Sequence, residues 1–404
     1  MFNEPQTPNG DAPSMQSMFS DPAIAANPFP LFEQLRSMGD MMQIPAPLGE
    51  GTAWLITRLE DAVQIMKDKR YTVEMKEPPL GMSGLFGKGN LPLVDGSCHT
   101  RLRGLVSKAF TPRFIENLRP RVQQIADELL DRVEAKGEMD LVADYAYPLP
   151  INVISDMLGV PHEDQEKIQQ WSNVIAQSAS IFAKRDETNE AQAFSDYVVR
   201  LIAEKRQHPG NDLISQLVAM EQAGDHLDQE ELLTMISLLI FAGHETTSNL
   251  ISIGTLMLLD YPDQLERLKS DLSLVPNTVE ELLRFNGPVT MPAPRYATED
   301  LQFGGKEVHQ GEMMIIILAA ANRDEREYTD PNEFDIARDL NRHMAFGQGV
   351  HYCLGAPLAR LEGEIAFATL LKRFPNIHFG EPRESIMWRE NVQLRGLQHL
   401  QVAF

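Results

Sequence analysis

Between Phe114 and Val133 the apolar residues Leu118, Val122, Ile125, Leu129 and Leu130 recur every three or four positions, the spacing of one helix face. Asp212 to Gln222 and Val279 to Phe285 repeat it. Strand-like runs are scarcer: Ala53-Trp-Leu-Ile-Thr57, then Leu301 to Leu318, where Gly304-Gly305 and Gly311 punctuate short β segments. With no internal repeat and no long linker, the pattern predicts one large, mainly α domain with a minor β-sheet region.

One helical stretch stands apart. Asp228 followed by Glu231 has the spacing of a capping box, and the next break is Tyr261-Pro262. About 33 residues at roughly 1.5 Å each span about 50 Å, enough to cross a domain. Both ends are apolar on nearly every face, which predicts burial. The middle, Ala242-Gly-His-Glu-Thr-Thr-Ser248, is polar. Buried polar groups are costly without partners, so this break marks a candidate site. It also rules out a membrane span, which needs about 20 predominantly apolar residues, and no membrane anchor is expected.

Composition narrows the classes. The 404 residues carry a net charge of −22, which argues against nucleic acid or anionic membrane as a partner. Two cysteines cannot make a disulfide framework, so a cytoplasmic setting is expected. Residues 1–20 read as a flexible polar lead-in without signal-peptide features, and 21–404 as the domain.

Cys353 lies in Phe346-x-x-Gly349-x-x-x-Cys353-x-Gly355, just before a helical pattern running through Leu358, Leu361, Ile365 and Leu371. A helix entrance offers unpaired N–H groups that favour a thiolate. The glycines let something bulky approach the sulfur, and Phe346 can shield it. A lone cysteine is most often a small buried hydrophobe. Four fixed positions, however, arise by chance in roughly one in a few thousand such chains. A zinc site from Cys98, His99, His351 and Cys353 is the competing ligand set, without C-x-x-C spacing.

The loop resembles the cysteine-ligand loop of the cytochrome P450 haem-thiolate monooxygenases, whose other motifs follow in family order. Ala242-Gly243-His244-Glu245-Thr246-Thr247 is similar to the oxygen-activation motif, Glu281-Leu-Leu-Arg284 to the E-x-x-R helix, and His99-Thr-Arg-Leu-Arg103 to a propionate-binding helix. The resemblance implies haem b, with Cys353 as iron ligand and electrons from NAD(P)H through a ferredoxin- or flavodoxin-type partner. It implies catalytic roles for Glu245 and Thr246 in guiding protons, and a dioxygen groove at Ala242-Gly243. His99, Arg103, Arg295 and His351 would hold the propionates, with Phe346 and Gly355 around the sulfur. Glu281 and Arg284 would form a buried network with an arginine, Arg338 first and Arg342 second.

Residues 100–122 hold six basic side chains against the single acid Glu116. Arg101, Arg103, Lys108 and Arg113 are the expected docking face for an acidic redox partner. The substrate would be an apolar small molecule, hydroxylated. The motifs look most like those of macrolide- and polyketide-hydroxylating members, with terpenoids, steroids and fatty acids open. Its contacts are expected in 81–89 (with Met82, Leu85 and Phe86), 175–183, 239–242, 289–293 (with Val289 and Met291) and 391–394. A peroxide-driven peroxygenase and a non-catalytic haem or zinc protein are the rival readings.

Overall fold

The computed structural model describes residue 19 and residues 21–47, 51–75, 87–178, 189–223, 227–339 and 342–404. The periodic stretches fold as helices. In Pro112–Glu134, Thr111 accepts a hydrogen bond from the Phe114 N–H, Pro112 starts the first turn, and Val122, Ile125, Leu129 and Leu130 go into the core. The others are Leu213–Gln222, capped by Asp212, and Val275–Asn286, here the Glu–Arg helix.

The central helix is Gln229–Asp260, 32 residues, with both halves of the Asp228/Glu231 capping box formed. It packs on Pro148–Leu158, on the Glu–Arg helix and on Ala356–Arg373, the cysteine helix. Burial on all sides explains why its ends lack a polar face. Among the described residues, no helix is long and apolar enough to cross a membrane.

Five strands form the larger sheet, in spatial order Met41–Pro45, Thr52–Ile56, Met313–Ile316, Arg295–Ala297 and Tyr71–Thr72. Thr52–Ile56 runs parallel to Met313–Ile316, and the other neighbours are antiparallel. Trp54, Ile56, Met314 and Ile316 enter one apolar cluster, while Ala53, Leu55, Met313 and Ile315 enter another. Both faces are therefore covered, and the period-two pattern gives way to continuous apolar runs. Gly304 (φ +55°) and Gly305 (φ +72°) make the tight turn between Leu301–Phe303 and Lys306–Val308.

The lead-in needs one correction. Phe19 is buried in the second sheet cluster and Asp21 caps Pro22–Ala26, so order begins before residue 21. The rest of 1–20 lies outside the described residues.

Candidate active site

A cavity of about 320 Å³ lies where the central helix, the helix Gly96–Val106, the stretch 288–295 and the cysteine loop converge. Its wall is apolar at Leu239, Ala242, Val289, Ala293 and Leu318, with polar groups confined to a few positions.

The cysteine loop is shaped by its own backbone. Gly347 (φ +70°) and Gly349 (φ +75°) take left-handed conformations, and a Cβ at Gly349 would stand 2.5 Å from the Met66 carbonyl oxygen. Cys353 N–H donates to the Phe346 carbonyl at 2.9 Å, and Gly355 is the cap residue of the cysteine helix. The Cys353 side chain is exposed, and the space it meets is this cavity. Phe346 lines the same space with the Arg360 guanidinium 4.5 Å from its ring centre.

One expectation changes here. Burial pushes the Cys353 thiol up, outweighing the Gly355 and Ala356 N–H groups and the charge of Arg103. A cation at the sulfur, not the helix end alone, is what makes a thiolate the stable form. A Cβ at Gly355 would lie 3.9 Å from Cys353 Sγ, an ordinary contact within the protein.

Four predicted donors, His99, Arg103, Arg295 and His351, all line the cavity. The His99 and His351 rings are 4.4 Å apart, and His99 Nε2 is buried without a partner. Arg103 donates to the Tyr352 carbonyl at 2.7 Å and Arg295 to the Ala293 carbonyl at 3.0 Å. Among the described residues neither arginine has a carboxylate within ion-pair distance. Burial, then the charges of His351 and Arg103, lower His99 to about 4. Burial likewise lowers both arginines. Two arginines without a carboxylate partner, beside an orphaned His99 nitrogen, leave this rim incomplete without a further anion. The zinc set does not assemble: Cys98 accepts from Arg101 at 3.7 Å, and no metal-binding group of three exists among the described residues.

Sequence reasoning missed Asp95. His351 Nε2 lies 2.7 Å from its Oδ1, while Thr72 and Val73 donate to Oδ2. Burial pushes Asp95 up, yet these hydrogen bonds win and hold its carboxyl well below the usual range. An aspartate preceding a helix reads as an ordinary cap, which hid this role.

At the polar break only part of the expected set meets the cavity. Ala242, Gly243 and Thr246 line it. Thr246 Oγ1 donates to the Ala242 carbonyl at 3.2 Å. Glu245 does not share that wall. Successive helix residues diverge by about 100°, and the Glu245 carboxylate is buried against Arg389 and Asn249. Gly243 also serves helix packing: a Cβ there would stand 2.7 Å from Ile154 Cγ1. His244 is buried with Nδ1 at 2.6 Å from the Ile240 carbonyl. Glu362 was not anticipated. It is fully buried on the cysteine helix and neither oxygen has a hydrogen bond. Burial raises it well above the ordinary value, and Thr247 stands near enough to oppose the shift but outside good hydrogen-bond geometry.

The Glu281 network forms with Arg284 and with Arg338, as the first of the two candidates. Arg342 offers its backbone carbonyl to Tyr328. The basic patch is largely cancelled: Arg101 pairs with Glu231, Arg119 with Glu116 and Glu364, and Arg121 with Asp156. Arg103 faces the cavity, which leaves Lys108 and Arg113 as exposed cations. Of the expected substrate contacts, Leu239, Ala242, Val289 and Ala293 line the cavity, whereas Met291 is buried in a sheet cluster. The segment 391–394 backs the wall instead, Thr290 N–H donating to the Gln393 carbonyl at 2.9 Å. Met82, Leu85, Phe86 and residues 179–183 lie outside the described residues.

A cysteine opening onto an internal cavity at a helix entrance, a cationic rim and a long helix along the far wall define a haem-thiolate protein. The family model for cytochrome P450 matches residues 24–390, and the chain belongs to that family. It is 45% identical over 373 residues to cytochrome P450 CYP107DY1 of Priestia megaterium, covering 88% of this chain and 90% of the relative. It is 44% identical over 361 residues to the polyketide biosynthesis cytochrome P450 PksS of Bacillus subtilis, covering 87% and 89%. The crystal structure of myxobacterial CYP267B1 in complex with myristic acid superposes with a TM-score of 0.88 at 36% identity, covering 97% of this chain and 99% of that one. The family works with haem b and electrons from NAD(P)H through a redox partner, and the chain is a monooxygenase of apolar small molecules.

Proposed function

We propose that this monooxygenase hydroxylates a bulky, polyketide-like molecule held over haem b, with Cys353 as the iron ligand. The observation that carries the site reading is the Cys353 thiol opening onto the same cavity as His99, Arg103, Arg295 and His351. That set fits a planar group with a soft-ligand centre and two carboxylates. Haem bound there supplies two-electron activation of dioxygen, one oxygen atom entering a substrate C–H bond and the other leaving as water.

The residues divide the remaining work. Asp95 orients His351, and His351, His99, Arg103 and Arg295 neutralise carboxylates. Phe346 and the apolar wall exclude water around the sulfur. Thr246 presents a hydroxyl to the cavity and passes protons inward, with Glu245 behind it as their source. Likeness to PksS supports a polyketide-like substrate, and the bound fatty acid of CYP267B1 supports a long apolar one as the second reading. The redox partner is an acidic ferredoxin or flavodoxin meeting Lys108 and Arg113, and the setting is cytoplasmic.

The carbon monoxide difference spectrum of the reduced protein tests the ligand: the parent gives the long-wavelength band of thiolate ligation and C353H loses it. Arg295→Leu and Arg103→Leu should each speed haem transfer to an acceptor protein by about ten-fold or more. An unchanged haem-loss rate in both removes the rim assignment. Spin-state shifts across polyketide, fatty-acid and steroid panels decide the substrate, and peroxide turnover without turnover in any reductase system favours a peroxygenase.

A further inference from the structure

We propose that Arg389 is a positioning residue for Glu245, holding its carboxylate away from the cavity and so governing when it can hand a proton toward Thr246. This rests on the reading of Glu245 as a proton source.

The two side chains are buried together, 10% exposed for Arg389 and 1% for Glu245. Glu245 Oε1 takes both available donors, the Arg389 guanidinium and Asn249 Nδ2 at 3.3 Å. Oε2 is buried with no hydrogen-bond partner. A buried carboxylate satisfied at one oxygen and open at the other is under-determined, and its free edge is where a proton can arrive. The titratable groups facing it are Tyr147, His244 and Arg389. Burial and the Glu245 charge push the Tyr147 phenol up, and burial lowers His244, so both stay neutral near pH 7. The guanidinium is thus the charge that fixes the carboxylate.

Arg389 is itself fixed. Its N–H donates to the Gly396 carbonyl at 2.9 Å, and Trp388 bridges Leu397. A Cβ at Gly396 would stand 2.3 Å from Asn249 Oδ1, so this hairpin lies directly on the central helix beside the second donor. Residues of the hairpin also carry the cavity wall, through Val289 and Leu394. In the proposed cycle Glu245 takes a proton from solvent, loses its hold on Arg389, delivers the proton and returns as carboxylate to the guanidinium.

The test compares parent, E245Q, R389Q, R389K and the E245Q combinations as holoenzymes with a surrogate ferredoxin and reductase. Measured are substrate-free NAD(P)H oxidation against pH, its solvent deuterium effect, and urea unfolding midpoints. R389Q should change the proton-dependent rate by about ten-fold and shift its pH profile, with R389K intermediate. In the E245Q background neither change at 389 should matter further, and the unfolding midpoints should be non-additive. Equal effects of R389Q with and without E245Q, or an unmoved pH profile, overturn the inference alone. An E245Q protein indistinguishable from the parent overturns the proton reading of Glu245 as well. If R389Q does not accumulate, the same comparison is decided by R389K in the two backgrounds.

Discussion

Arg338 Nε donates to Glu281 Oε1 at 3.2 Å, although 57 residues separate the two in the chain. Arg284 donates to both oxygens of the same carboxylate at 2.7 Å through Nε and Nη2, while Nη1 donates to the carbonyls of Asn322 and Pro331 and Nη2 also to that of Glu333. The Glu281 and Arg284 side chains are wholly buried. This arrangement ties the Glu–Arg helix to the segment leading into the cysteine loop. Removing the carboxylate leaves two guanidiniums uncompensated, a loss of about 3–5 kcal/mol. Glu281→Gln should therefore lower the yield of soluble carbon-monoxide-binding protein severely. A parent-like urea midpoint for E281Q would overturn this.

Gly243 makes a quieter prediction. Alanine there gains up to about 1 kcal/mol of helix propensity. It also sets a methyl 2.7 Å from Ile154 Cγ1, near the root of a stiff side chain that cannot swing aside. Overpacking costs about 1–3 kcal/mol, so the net should be destabilising. Gly243→Ala should lower the urea midpoint, and adding Ile154→Val should recover part of the loss. A G243A protein at least as stable as the parent would show that the helices separate freely.

Local features were legible in the chain: the capping box of Asp228 and Glu231, the Gly304-Gly305 turn and the Cys353 loop each depend on a few neighbouring residues. The cationic rim was legible by resemblance. What escaped was polar pairing over long separations. Arg101 meets Glu231 across 130 positions and Arg119 meets Glu364 across 245, so a run of basic residues that looked like one patch is mostly neutralised. Glu245 and Thr246 are adjacent in sequence, yet the helix turns them apart, and only packing decides which one the cavity receives. Arg389 lies 144 positions from Glu245 in a stretch without helical periodicity. Nothing local in the sequence announces that pair.

Glu362 yields a pH prediction. Burial raises its folded-state value well above 4.5, so the folded protein keeps a proton that the unfolded chain releases near that pH. The sign follows from linkage: its contribution is fully present below the unfolded value and is lost as pH rises toward the folded one. Each pH unit across that window removes about 1.4 kcal/mol. Glu362→Gln has no such titration. Its unfolding free energy should fall less steeply than the parent's as pH rises above the ordinary glutamate value of 4.5. Parallel stability curves for the two proteins would mean that Glu362 is already ionised in the fold.

The surface charges near the cysteine loop separate two pictures of electron delivery. If the whole basic run docks the partner, charge reversal at Arg101 or Arg121 should slow reduction as much as reversal at Lys108 or Arg113. The ion pairs say otherwise. Arg101 is held by Glu231 at 2.6 Å and Arg121 by Asp156 at 2.6 Å, so their fields are largely cancelled before a partner arrives. Lys108 and Arg113 are exposed, and no acid lies within ion-pair distance of either among the described residues. Steering by exposed charge acts mainly on association and fades with salt, the screening length being about 8 Å at physiological ionic strength. Lys108→Glu with Arg113→Glu should slow first-electron transfer from an acidic ferredoxin by about ten-fold at low salt, with the difference closing as salt is raised. Arg121→Glu should change it far less. Stopped-flow reduction under carbon monoxide reads this directly, and equal slowing by all three reversals would return the docking face to the full basic run.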